Sequence, residues 1–138
     1  MRWSTGIVLI VDREDEVLEV LRTALQSTDF VLLQATTEDE ALGVLSRLQC
    51  PIDLAIIDLD LPNDDGLVIS LLTILGRRKI TKIIVKTSRQ DKPFLEQVNY
   101  FGIDAIVLKP ISAEHFITTV QATLSGCRNA GALAGTAA

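Results

Sequence analysis

The stretch Leu54-Ala55-Ile56-Ile57-Asp58-Leu59-Asp60-Leu61-Pro62 decides the reading of the chain. Its apolar run is short and rich in isoleucine, the pattern of a strand buried on both faces. The run stops at a carboxylate, Asp58, and Pro62, Asn63 and Gly66 then predict a turn. In an open α/β sheet, ligand sites form where strands end in polar residues and hand over to loops.

Working outward, the same grammar repeats. Ile7 to Val11 is an apolar run ending at Asp12, and Val17, Leu18, Val20, Leu21, Ala24 and Leu25 follow at helical spacing. Phe30 to Leu33 predicts a second strand. Thr37 with Glu40 predicts a capping box for a second helix, whose apolar face is Ala41, Leu42, Val44, Leu45 and Leu48. Beyond the central stretch, Leu67, Val68, Leu71, Leu72 and Leu75 give a third helix that stops at Gly76. Lys82 to Val85 predicts a fourth strand, running into Lys86, Thr87 and Ser88. Pro93 starts a fourth helix with Phe94, Leu95, Val98 and Phe101, ended by Gly102. Ala105 to Leu108 is a fifth strand ending at Lys109-Pro110, and Ser112 caps a last helix carrying Phe116, Ile117, Val120 and Leu124. Five alternations of strand and helix imply a parallel sheet with right-handed crossovers and helices on both faces.

Composition narrows the function classes. A chain of 138 residues is the size of one domain, and a hydrophobic share of 48% is enough for a core. The net charge of −5, without a basic cluster, argues against this domain gripping nucleic acid. The Arg77-Arg78-Lys79 group reads as a solvated helix end. No apolar run approaches the roughly 20 residues of a membrane span, and the N-terminus lacks the pattern of a signal peptide. Cys50 and Cys127 read as reduced thiols, so a cytoplasmic location is expected. His115, on a predicted helix with no nucleophile nearby in sequence, reads as a surface residue.

Asp12, Asp58, Thr87 and Lys109 each close a different predicted strand, so the fold itself brings them to one edge. Two carboxylates there suit a hard divalent cation such as magnesium. Like charges so close need a counter-charge, which Lys109 supplies, and Thr87 offers a hydroxyl donor. A carboxylate beside a cation, a lysine and a hydroxyl is equipped to attack phosphorus and form an aspartyl phosphate.

These pieces carry a family resemblance. Val11-Asp12, Asp58-Leu59-Asp60-Leu61-Pro62 with Asp65-Gly66, Thr87-Ser88 and Lys109-Pro110 resemble the receiver domain of bacterial two-component response regulators (the CheY-like fold), over about residues 6 to 125. The resemblance implies a five-stranded parallel sheet in the order 2-1-3-4-5. It implies a receiver domain over residues 1–125, leaving 126–138 as a Gly- and Ala-rich tail. It makes Asp58 the phosphoacceptor, with Thr87 and Lys109 on the phosphoryl group. Magnesium would be bound by Asp12, Asp58 and the backbone carbonyl of Asp60, and the Lys109-Pro110 bond would be cis. The implied partners are a histidine kinase or phosphotransfer protein and a downstream protein target. The face of the fourth helix, fifth strand and fifth helix is the expected surface for that target or for a homodimer.

Three positions depart from that pattern. Arg13 replaces a second acid after the first strand. It is expected to turn inward, fork onto the carboxylates and weaken magnesium binding; in the competing reading it turns outward to pair with Glu14 or Glu16, and Glu14 swings in as a substitute ligand. Ile106 stands where an aromatic switch residue is usual, so output is not expected to depend on an aromatic rotation. Lys86 replaces an apolar residue and is expected to face solvent. Two other functions fit the residues: a pseudo-receiver that binds partners without phosphorylation, and a small phosphatase of the haloacid-dehalogenase type, whose paired aspartates Asp58-Leu59-Asp60 mimics. The latter needs acids downstream of its lysine, where this chain has only Glu114.

Overall fold

The computed structural model describes residues 6–25, 29–48, 51–61, 65–77 and 81–125. Strand and helix alternate: β1 (Gly6–Val11), α1 (Asp15–Leu25), β2 (Phe30–Ala35), α2 (Glu38–Arg47), β3 (Leu54–Asp58), α3 (Asp65–Gly76), β4 (Lys82–Thr87), α4 (Lys92–Asn99), β5 (Ala105–Leu108) and α5 (Ala113–Leu124). The five strands form one parallel sheet in the order β2-β1-β3-β4-β5, the order and direction expected.

Side chains alternate across the sheet and sort into two cores. Leu54 and Ile56 join Val8, Ile10, Ile84, Ala105 and Val107 beneath α1 and α5, with Leu21, Phe116 and Val120. Ala55 and Ile57 join Leu9, Val11, Ile83, Val85 and Ile106 beneath α2, α3 and α4, with Leu45, Leu72 and Val98. Every β3 residue is buried, so the central stretch is a two-faced strand. Each fully buried Ile or Leu contributes roughly 1.5–3 kcal/mol of transfer free energy.

The predicted punctuation is visible locally. Thr37 Oγ1 accepts the Glu40 N–H at 3.0 Å, while Glu40 Oε1 takes the Thr36 N–H, one residue earlier than a standard capping box. Ser112 caps α5 by accepting the His115 N–H at 3.1 Å. Gly102 has φ 76°, a left-handed conformation that favours glycine, and closes the turn from α4 to β5.

Two aspartates brace the opposite, amino-terminal edge. Asp53 Oδ2 accepts the Ile7 N–H and Asp104 Oδ2 the Ile83 N–H, each at 2.8 Å. Each carboxylate ties the strand after it to its neighbour and fixes the registers that reach the carboxyl edge.

β4 runs two residues past its expected end and includes Lys86 and Thr87. The turn at Pro62 and Asn63, the two cysteines, Arg78, Lys79 and the 126–138 tail lie outside the described residues, as do the side chains of Leu67 and Val68.

Candidate functional site

The site is laid out by backbone hydrogen bonds that continue past the strand ends. Asp12 donates its N–H to Ala35 O, Leu59 to Lys86 O and Lys109 to Thr87 O, at 2.8–2.9 Å. The residues that follow β1, β3 and β5 are thereby locked to the neighbouring strands. Asp58 and Lys86 are register partners. Asp12, Asp58, Lys86 and Lys109 all share the parity of Ile10, Ile56, Ile84 and Val107, so their side chains emerge on the α1–α5 side of the sheet. Thr87 has the opposite parity.

Asp58 is 4% exposed. The Lys109 ammonium donates to both of its carboxylate oxygens at 2.9 Å, and Asp58 Oδ1 also accepts the Asp60 N–H. Lys109 reaches Asp60 Oδ2 at 3.3 Å as well. Burial pushes the Lys109 amine down, but hydrogen bonding and charge from Asp58, then Asp60, outweigh it and raise its pKa.

Asp60 is more than a carbonyl. Its side chain accepts the Thr87 hydroxyl at 2.8 Å on Oδ1 and the Ser88 N–H at 2.8 Å on Oδ2. Burial pushes this carboxyl up, yet the Thr87 and Ser88 hydrogen bonds and the Lys109 charge hold it below the ordinary aspartate value. The sequence reading used only the Asp60 backbone oxygen and missed this role.

Asp12 is fully buried, with Oδ1 accepting the Glu14 N–H and Oδ2 accepting the Lys86 ammonium, both at 2.9 Å. Lys86 is itself 4% exposed and lies 5.5 Å from the centre of the Phe116 ring. Two expectations are corrected here. Lys86 faces the interior, because strand parity aligns it with Ile84, and the buried Asp12 charge requires a partner. Arg13 is exposed and takes no part in the contacts described around Asp12 and Asp58, because it lies one residue beyond Asp12 in the turn leading to α1.

Oxygens of Asp12, Glu14 and Asp58 lie within 4.8 Å of one another, an all-oxygen set that suits a hard divalent cation. Glu14 thus stands where the missing second acid would serve. Four carboxylates face two ammonium groups across this edge, leaving charge for a cation to neutralise. A cavity of about 330 Å³ opens beside it, lined by Glu14, Val17, Val20, Lys86, Lys109 and Phe116 among others. Lys109-Pro110 is cis, as expected, and Ile106 is buried. His115 is exposed.

The profile of the response regulator receiver domain matches residues 8–121. The chain belongs to the response regulator receiver domain family. It is 29% identical to the transcriptional regulatory protein ResD of Bacillus subtilis, over 85% of this chain and 47% of that protein. It is 30% identical to the response regulator GtcR of Aneurinibacillus migulanus, with the same coverage. The chain therefore spans about half the length of these curated relatives. Among solved structures, a CheY-like receiver domain protein of Methanospirillum hungatei superimposes with a TM-score of 0.72 at 23% identity, covering 90% of this chain and 97% of that one. A response regulator of Thermotoga maritima gives 0.69 at 24%, covering 88% and 99%. Both likenesses speak to the fold.

Receiver domains are signalling modules of two-component phosphorelays rather than turnover enzymes, so family membership overturns the haloacid-dehalogenase alternative. Among the described residues, no helix of this receiver domain is long and apolar enough to cross a membrane.

Proposed function

We propose that Asp58 accepts a phosphoryl group from a phosphorylated histidine on a sensor histidine kinase or phosphotransfer protein. The observation that carries this reading is Asp58 itself, a buried carboxylate at the end of the central strand with both oxygens 2.9 Å from the Lys109 ammonium. In the transfer, one Asp58 oxygen attacks phosphorus. The new P–O bond forms as the P–N bond breaks, and the released imidazole takes up a proton from solvent. Positioning and charge do most of the work in such transfers. Lys109, already on the nucleophile, follows the phosphoryl oxygens. Thr87 turns its hydroxyl from Asp60 to the same group.

Magnesium would be held by Asp12, Glu14 and Asp58, with the Asp60 carbonyl as a further oxygen. Bound there, it supplies positive charge against the phosphoryl oxygens. The output surface in this reading is the face of α4, β5 and α5, meeting a downstream protein or a second copy. Ile106, at 1% exposure, gives it no rotating aromatic. A cytoplasmic location goes with these partners.

The Lys86–Asp12 pair favours a second reading, a domain that signals without efficient phosphorylation. One experiment separates the two. Incubation with a small phosphodonor and magnesium should add one phosphoryl group by intact mass, stable in acid and labile in base, and Asp58→Asn should abolish it. No adduct on the wild type would favour the second reading.

A further inference from the structure

We infer that Lys86 is a resident cation of the acidic site, competing with a divalent metal for Asp12. The inference rests on reading this edge as the phosphoacceptor site, and it concerns how the site is charged before any donor arrives. Its basis is the pair itself. Asp12 is fully buried and Lys86 nearly so, with Lys86 Nζ 2.9 Å from Asp12 Oδ2. The other Asp12 oxygen is engaged by the Glu14 N–H. Both oxygens of a central metal-binding acid are thus already neutralised or hydrogen-bonded by the chain.

A divalent cation bound through Asp12, Glu14 and Asp58 would meet the Lys86 ammonium on one of its own ligands. Like charges sharing one buried carboxylate repel strongly. The metal therefore binds only as Lys86 withdraws. The space for withdrawal is present: the cavity between α1 and α5 has Lys86 in its lining, together with Phe116, Val17 and Val20. The Phe116 ring face, already 5.5 Å from the ammonium, gives the displaced charge a partner. Lys86 is a positioning residue. It holds Asp12 in place without metal and sets the concentration at which metal enters.

The test uses the full chain, magnesium alone and no phosphodonor, so its failure leaves the assignment of Asp58 standing. Magnesium titrated calorimetrically should bind Lys86→Met at least tenfold more tightly than wild type. Arg13→Gln, which alters only an exposed side chain, should match wild type within twofold. Should Lys86→Met not fold, the wild type carries the test. Lysine ammonium resonances recorded without metal should include one slowly exchanging signal, absent from Lys86→Arg, that shifts or broadens as magnesium saturates. Equal magnesium affinity in wild type and Lys86→Met, or a Lys86 resonance indifferent to magnesium, overturns the inference.

Discussion

The Thr87 hydroxyl donates to Asp60 Oδ1 at 2.8 Å, and so is turned toward the neighbouring acid rather than the proposed acceptor Asp58. The same acid also draws on Lys109, at 3.3 Å. Asp60 therefore engages both side chains, Thr87 and Lys109, that a phosphoryl on Asp58 would need.

Removing that competition should speed acceptance. Asp60→Ala is expected to raise the rate of phosphorylation from a small donor about three- to tenfold, a gain of about 1 kcal/mol in the barrier. It should also lower stability by about 1–3 kcal/mol, because the buried Thr87 hydroxyl loses its acceptor. Stopped-flow labelling and urea unfolding check the two parts. An unchanged or slower rate would show that Asp60 assists rather than competes.

The Lys86–Asp12 pair should dominate stability in metal-free buffer. Lys86→Met leaves a buried carboxylate uncompensated and is expected to cost about 3–5 kcal/mol. Adding Asp12→Asn to it should recover much of that loss, because the charge that needed a partner is gone. Urea unfolding of the two single variants and the double variant gives the coupling. Additive losses would mean that the two groups do not act as a pair.

The pH profile follows from two shifted groups. The Asp60 pKa is held below the ordinary value of about 4. Its contribution to stability is present above that value and is lost as pH falls through the lower folded value. The Lys109 pKa is raised above the ordinary value of about 10.4. Its contribution is present below that value and is lost as pH rises through the higher folded one. Both contributions are full between about pH 5 and 10. Asp60→Asn should flatten the acid limb of a stability–pH curve, and an unchanged acid limb would count against the Asp60 contacts.

Much of this was legible in the sequence, and the two corrected positions, Lys86 and Arg13, share one cause. The alternation of apolar runs gave the five strands and five helices, and the strand ends gave Asp12, Asp58, Thr87 and Lys109. Ending β4 at Val85 hid the parity that places Lys86 beside Ile84, on the same side as Asp12 and Asp58. With Lys86 inside, Asp12 already has its cation, and Arg13 stays exposed rather than turning inward. The role of the Asp60 side chain had no sequence signal, because it depends on how the β3 loop meets the end of β4.

Core truncation gives a control on the fold alone. Ile56→Ala, at the centre of β3 with no polar contact, should cost about 2–5 kcal/mol. It should leave magnesium affinity within twofold when measured on the folded fraction. A larger change in metal binding would mean that the site is not insulated from the core.

The most direct test of the account is to locate the phosphoryl group. After labelling by a phosphohistidine-bearing partner or a small donor, borohydride reduction converts an acyl phosphate on aspartate to homoserine, which peptide sequencing then finds. Homoserine is expected at position 58, and none at 12 or 60. Homoserine at either of those positions, or label on a histidine or serine instead, would contradict it.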